Sequence, residues 1–213
     1  MEDLTVHGHG RTGVGNYKNN VITGSYGNQT LYGMAGDDVI DGGQDIDAMF
    51  GGEGDDQYFV DHSSDSIIEN ENEGTDSVYA TRHYVLSDNV ENLYFTENRI
   101  LNGTGNSSNN IIVGTDSQNM LDGQGGNDNL DGKAGDDHLI GGDGNDVLFG
   151  GDDAIFIDYS YDGGEGGIGA AGFYDGGEGY YGSNPIFQIR SNNDHLEGNA
   201  GNDDLDGGSG DDT

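Results

Sequence analysis

From Gly33 the sequence runs GMAGDDVID, GGQDIDAMF, GGEGDDQYF, three nine-residue units laid end to end. Extending the frame backward adds GNYKNNVIT and GSYGNQTLY, so a first block covers 15–59. A second block, 105–158, reads GNSSNNIIV, GTDSQNMLD, GQGGNDNLD, GKAGDDHLI, GGDGNDVLF and GGDDAIFID. A third, 189–213, holds GNAGNDDLD and closes on GGSGDDT. This fixed period is the tightest constraint on the fold. A unit of nine residues cannot bury an apolar face alone, so it has to stack on copies of itself.

Each column of the repeat has its own chemistry. The eighth position is Ile22, Leu31, Ile40, Met49, Tyr58, then Ile112, Leu121, Leu130, Leu139, Leu148, Ile157, then Leu196 and Leu205. One apolar residue in nine is too sparse for an amphipathic helix or an ordinary alternating strand. It suits a solenoid in which each unit adds one short strand to a shared core. The sixth position is Asp38, Asp47, Asp56, Asp128, Asp137, Asp146, Asp194, Asp203 and Asp212 in the best units, and Asn20, Gln29, Asn110 or Asn119 in degenerate ones. Glycines at the first, second and fourth positions permit a tight turn with positive φ and leave its carbonyls bare. Such a turn, ending in a carboxylate, suits a hard oxygen-seeking cation. Ca²⁺ takes about 6–8 oxygens and mixes carboxylates with backbone carbonyls.

With these columns the sequence resembles the RTX (repeats in toxin) family, whose nonapeptide pattern is GGxGxDxUx. The resemblance implies an all-β fold, a right-handed parallel β-roll or β-solenoid with two nonapeptides per coil and several Ca²⁺ ions between turns. It also implies that each ion lies between a turn and the next one on the same edge, held by both sixth-position side chains and by carbonyls of both turns. On these terms Asp38 pairs with Asp56, Asp128 with Asp146 and Asp194 with Asp212. Carbonyl ligands come from Gly33, Ala35, Gly52 and Gly54 in the first pair, and from Gly123, Gly125, Gly142 and Gly144 in the second. Asn20 with Asp38, Asn110 with Asp128 and Asn119 with Asp137 offer one neutral oxygen each. Asp47 faces Gln29, Asp137 faces Ile155 on its other side, and Asp203 completes the metal candidates.

Between the blocks the frame fades. Residues 60–104 number 45, a multiple of nine, so the second block resumes in the phase of the first. VDHSSDSII still sets Asp65 sixth and Ile67 eighth, and SDNVENLYF sets Asn92 and Tyr94 there. SVYATRHYVL (77–86) and ENLYFTE (91–97) have the β-branched and aromatic content of strands. We therefore expect 60–104 to be a degenerate, strand-rich continuation of the solenoid and 1–14 a lead-in segment. Residues 159–188 repeat YDGGEG thirteen residues apart, contain the single proline, Pro185, and break the frame. They read as a Gly/Tyr-rich insertion, a loop or a binding or self-association surface. The sequence stops at Thr213, seventh in its repeat, as expected for a fragment of a longer protein.

Composition narrows the function. The formal net charge is −35, from 41 Asp+Glu against 6 Lys+Arg. That repels nucleic acid phosphates and anionic membrane surfaces, and it favours divalent cations. No stretch approaches the ~18 apolar residues of a membrane span. The absence of Cys rules out disulfides but fits export and a cytosolic setting equally. MEDLTVHGHG lacks the basic and apolar segments of a secretory signal peptide. No nucleophile elbow or acid–base pair stands out, so no enzyme is expected here. His138 and His195 fall at the outward seventh position, and His7 with His9 sits in a lead-in loop. The family resemblance implies a secreted, extracellular or cell-surface bacterial protein, exported by type I secretion. The expected role is a calcium-folded structural module of an adhesin, surface-layer or matrix protein. Extracellular polysaccharide, a cell surface or a second copy would be its partners. The alternative is the accessory module of a secreted protease, lipase or polysaccharide epimerase whose catalytic domain lies elsewhere.

Overall fold

The computed structural model describes residues 2–151, 194–200, 202–208 and 212–213. The last three residues of each nonapeptide form a short strand whose middle side chain points inward while its neighbours point out. In Val39–Ile40–Asp41, for instance, only Ile40 is fully buried. Ile22, Leu31, Ile40, Met49, Tyr58, Ile112, Leu121, Leu130, Leu139 and Leu148 are all fully buried in one continuous core, and Leu196 and Leu205 pack against it partly covered. Burying one such aliphatic side chain is worth about 1.5–3 kcal/mol, and a column of them is what makes a glycine-rich repeat stack.

Among the described residues there are nineteen strands and no helix. One face of the coil is a ten-stranded parallel sheet of β1 (Glu2–Thr5), β3 (Asn20–Thr23), β5 (Val39–Asp41), β7 (Gln57–Val60), β9 (Ser77–Ala80), β11 (Asn92–Phe95), β13 (Ile111–Thr115), β15 (Asn129–Lys133), β17 (Val147–Phe149) and β19 (Asp204–Asp206). The other face is two sheets in tandem. The first holds β2 (Arg11–Val14), β4 (Gln29–Ala35), β6 (Ala48–Glu53) and β8 (Ser66–Ile67). The second holds β10 (Tyr84–Val85), β12 (Asn102–Thr104), β14 (Met120–Asp122), β16 (His138–Asp143) and β18 (His195–Ala200). The chain alternates between faces, so strands consecutive in sequence lie in opposite sheets. Neighbours within a sheet are one full coil, or two nonapeptides, apart: Val21 pairs with Val39, Val39 with Gln57, and Thr30 with Ala48. The architecture is a parallel β-solenoid.

The ten-stranded sheet runs without a break through 60–104. Gln57 pairs with Ser77, Ser77 with Asn92 and Asn92 with Ile111. Relative to the regular coil, the first of these steps is longer by two positions, the second shorter by three and the third longer by one, which restores the phase. Within this stretch the repeat frame misplaces one strand. Leu93, not Tyr94, occupies the core position, in register with Val78 and Ile112, while Tyr94 stacks outside on Tyr79 with ring centroids 5.3 Å apart. The short step from Ser77 to Asn92 leaves the frame one position early there. Leucine can be buried without a partner, whereas a buried tyrosine hydroxyl needs one. Residues 2–14, expected as a lead-in, already supply β1 and β2, which pair with β3 and β4 at the same one-coil spacing.

A second difference concerns the far end. The strand stacked on β16 is β18, with His138 beside His195, and that on β17 is β19, with Val147 beside Asp204. Paired residues at these two rungs stand 57 positions apart, against 18 in the regular coil. Ile157 and the insertion at 159–188 lie outside the described residues.

Candidate metal centre

The sixth-position side chains form two ladders, one along each edge of the coil. In each rung one carboxylate oxygen accepts a backbone N–H from the sixth-position residue of the preceding coil. Along the first edge Asn20 N donates to Asp38 Oδ1 (2.6 Å), Asp38 N to Asp56 Oδ1 (2.7 Å), Asp56 N to Asp76 Oδ1 (2.8 Å) and Asp76 N to Glu91 Oε2 (2.8 Å). The same edge resumes with Asn110 N to Asp128, Asp128 N to Asp146 and Asp146 N to Asp203. Along the second edge the rungs are Gln29 to Asp47 and Asp47 to Asp65, then Asn119 to Asp137, Asp137 to Asp194 and Asp194 to Asp212. An outer ladder of fifth-position side chains runs in the opposite sense and is exposed to solvent: Asp55 N donates to Asp37 Oδ1 and Asp37 N to Asn19 Oδ1, and Asn145 N to Asn127 Oδ1 and Asn127 N to Asn109 Oδ1.

In eight of these carboxylates one oxygen is thus satisfied and the other is not, whereas Asp65 Oδ2 accepts from Asp61 N and His62 N. Oδ2 of Asp38, Asp47, Asp56, Asp76, Asp128, Asp137, Asp146 and Asp194 is buried with no hydrogen-bond partner. Leaving a buried acceptor unpaired costs about 1–3 kcal/mol, and more when it is charged. The first-position glycines explain how these oxygens fit. A Cβ on Gly33 would collide with Asp38 Oδ2 and lie 2.8 Å from the Gly51 carbonyl oxygen. A Cβ on Gly123 would meet Asp128 Oδ2 and lie 2.6 Å from the Gly141 carbonyl oxygen. Without that Cβ, an orphaned carboxylate oxygen and a carbonyl oxygen of the next coil converge on one space. The turn is shaped by positive φ at the second and fourth positions, 96° at Gly52 and 135° at Gly54. These donors are all oxygens, and the set fits a calcium-type ion.

Electrostatics agree. Burial raises Asp38 and Asp47 to about 6, Asp128, Asp137 and Asp76 to about 7, and Asp56 and Asp194 to about 8. In each case desolvation is the main cause, with neighbouring aspartates adding to it in most. At neutral pH these groups want a counter-charge, and the described residues offer no buried Lys or Arg to supply one.

The sequence pairs Asp38–Asp56, Asp128–Asp146 and Asp194–Asp212 each meet across one coil. Gly33, Ala35, Gly52, Gly54, Gly123, Gly125, Gly142 and Gly144 lie on the turns between strands or at strand ends beside them. Two neighbours differ from the sequence frame. Asp137 meets Asp194, not Ile155, because the strand stacked on β16 is β18. Asp203, left without a partner by the frame, takes the rung next to Asp146. Asp47 meets Gln29 on one side and Asp65 on the other, as the frame sets them.

Two acidic ladder residues and one beside the ladder escaped sequence reasoning. Asp76 stands two positions past the place that counting by nine from Asp56 gives, although GTDSVY (74–79) repeats the last six positions of the motif. Glu91 takes the sixth position in the next coil, whose frame is shifted. Glu69 is off the ladder yet buried beside it. It accepts from Gly51 N and from the Tyr58 hydroxyl, and it clusters with Asp56 and Asp76, one oxygen from each lying within 4.8 Å of the others. Only a position-independent search for buried carboxylates could have found Glu69.

The model of the RTX calcium-binding nonapeptide repeat (four copies) matches residues 14–49, 23–58, 104–139, 122–154 and 191–213. No curated protein matches the chain. No solved structure matches it either. Repeats of this kind bind Ca²⁺ between turns. The matched segments span more than half of the sequence and coincide with the regular coils, and the chain belongs to the RTX calcium-binding nonapeptide repeat family.

Proposed function

We propose that this chain is an extracellular structural module that folds when calcium fills the spaces between its coils. Asp38, Asp47, Asp56, Asp128, Asp137, Asp146, Asp194, Asp203 and Asp212, with Asn119, would supply the side-chain oxygens. Gly33, Ala35, Gly52, Gly54, Gly123, Gly125, Gly142 and Gly144 would supply carbonyls. The observation that carries this reading is the row of buried Oδ2 atoms without a partner, all but that of Asp76 beside a missing Cβ. Calcium bound there supplies positive charge between carboxylates of successive coils. The chain's own contribution is to fix one oxygen of each aspartate on a backbone N–H, so that the second is aimed and cannot turn away.

An RTX solenoid of this kind is a structural calcium-binding module and not a catalytic fold. Its repeat family occurs typically in secreted bacterial proteins, which supports a setting where calcium is abundant. A role within an adhesin, surface layer or matrix is consistent with a highly acidic solenoid of stacked coils. No helix among the described residues is long and apolar enough to cross a membrane.

The test is isothermal titration of calcium-stripped protein with Ca²⁺, on the parent and on the Asp128→Asn/Asp146→Asn variant. Several ions should bind per chain, and the variant should lose at least one of them. An unchanged stoichiometry in the variant, or binding of no more than one ion by the parent, would refute the ligand assignment.

A further inference from the structure

His138, His195 and Glu197 lie together on the outer face of the five-stranded sheet. The register sets His138 of β16 directly beside His195 of β18, with Glu197 two residues further along the same face. His195 Nε2 is 2.8 Å from Glu197 Oε1, and His138 Nε2 is 3.5 Å from the same oxygen. The imidazole rings meet edge to face, with centroids 4.6 Å apart. All three donor atoms lie within 4.8 Å of one another.

We infer that His138, His195 and Glu197 form a second kind of metal site, specific for a zinc-class divalent ion and separate from the calcium ladders. Bonds of about 2.0–2.2 Å to nitrogen and oxygen at a tetrahedral angle place neighbouring donors roughly 3.3 Å apart. The observed separations of 2.8 and 3.5 Å bracket that spacing. Two imidazoles and one carboxylate also leave a fourth position open to water. Calcium is a poor match, since it selects oxygen donors, whereas imidazole suits zinc, copper and nickel.

Two further details fit a metal better than an ion pair. His195 Nδ1 lies 2.6 Å from the Thr213 hydroxyl oxygen. Donating its Nδ1 proton to that oxygen leaves the Nε2 lone pair facing Glu197, the usual way a ligand histidine is oriented. Meanwhile His138 Nε2 is buried and makes no hydrogen bond. A single proton shared between His195 and Glu197 leaves that nitrogen unsatisfied, and protonating both rings would set two cations edge to face. A metal ion takes both lone pairs and the carboxylate together.

The placement gives the site a structural consequence. His138 and His195 are neighbours in space, yet the whole of 139–194 separates them in sequence, where other rungs span two nonapeptides. A metal here would clip the coil after residues 152–193 onto the coil before them. This rests on the calcium-folded coil, which brings the three residues together, so it has to be tested on chain already folded by calcium.

The experiment is Zn²⁺ titration of the full chain in a large excess of Ca²⁺, with far-UV circular dichroism recorded first. Loss of the β signal at that stage would speak against the calcium reading and not against this site. On folded protein one Zn²⁺ should bind, and Co²⁺ in its place should give visible absorption of tetrahedral intensity. The His138→Ala/His195→Ala variant should bind Zn²⁺ at least tenfold more weakly, with His7→Ala/His9→Ala unchanged. Equal binding by the parent and the His138/His195 variant, or loss in the His7/His9 variant instead, would overturn the assignment. If the double alanine variant fails to fold, the imidazole proton resonances of the parent decide the matter. Two histidines, identified by the single variants His138→Gln and His195→Gln, should shift on adding Zn²⁺. No shift of those two would overturn the proposal.

Discussion

Asp128 gives up one oxygen to Asn110 N and holds the other, buried and unpaired, against a glycine that lacks a side chain. This division of labour within one carboxylate carries two predictions. The first concerns the glycines. Gly54 holds φ at 135°, and a Cβ there would collide with the Gly36 carbonyl. Gly54→Ala should therefore cost about 1–3 kcal/mol in the calcium-loaded protein, read from thermal denaturation. Met34 occupies the second position of its unit with φ of 92°, where glycine stands in the best units, so Met34→Gly should cost nothing or stabilise. Equal losses from both substitutions would contradict the turn geometry. The second concerns pH. Folding lifts Asp56 and Asp194 to about 8, and Asp128 and Asp137 to about 7, chiefly through burial, against roughly 3.9 in an unfolded chain. The folded form without metal thus holds more protons. What stability it has is greatest below about pH 4 and is lost as pH rises through 7 to 8. In chelator the β signal should grow on acidification from pH 8 to pH 5, and in millimolar calcium it should stay flat. A chelated protein that gains β signal as pH rises would contradict the buried-carboxylate account.

At the scale of elements, the coil is a register and splices should obey it. Joining Asp56 directly to Ile111 removes three coils and writes the hybrid unit GGEGDDIIV, since Gln57 and Ile111 stand three rungs apart in one sheet. That variant should fold with calcium, whereas retaining Asn109 and Asn110 at the splice should not. Likewise, replacing 152–193 with Asp-Gly-Asn writes GGDGNDHLE across Gly151 and Asp194, and it should keep the calcium-induced β signal. Circular dichroism on these variants checks both predictions. If the two-residue misfit folds as well as the exact splice, the coil is not continuous. Where units keep the period, strands, core column and acidic ladder were all legible, because one inward residue and one edge carboxylate per nine leave no other register. What was hidden follows from length alone. The uneven steps from Gln57 to Ser77, Asn92 and Ile111 moved Asp76 and Leu93 out of the counted positions, although each keeps its local motif. β1 and β2 lack the glycine spacing that marks a unit, and β2 sets Gly13 opposite Leu31, where side chains from outside the strand fill the core. Leu4 and Val6 supply that apolar packing. Glu69 could not be read from spacing at all, since its place is set by the Tyr58 hydroxyl and the Gly51 N–H.

For the whole molecule, the balance lies between charge and a narrow core. A net charge of −35 on 213 residues opposes compaction. Like charges 4 Å apart cost about 4 kcal/mol at an effective dielectric near 20. Ordering the backbone costs about 1–2 kcal/mol per residue, and one apolar residue per unit offsets only part of it. Each cation bound at ten times its dissociation constant returns about 1.4 kcal/mol. The sites share rungs, so filling one orders the next, and the transition should be steeper than a single-site isotherm. The proposed function therefore predicts a chain that is unfolded where calcium is scarce and folded where it is millimolar. The most direct test is a calcium titration at pH 7.5 followed by far-UV circular dichroism, on the parent and on Asp128→Asn/Asp146→Asn. The account predicts disorder in chelator, a cooperative rise in β signal with calcium, and a midpoint shifted to higher calcium in the variant. A parent chain already fully β-structured in chelator, or a variant with an unmoved midpoint, would contradict it.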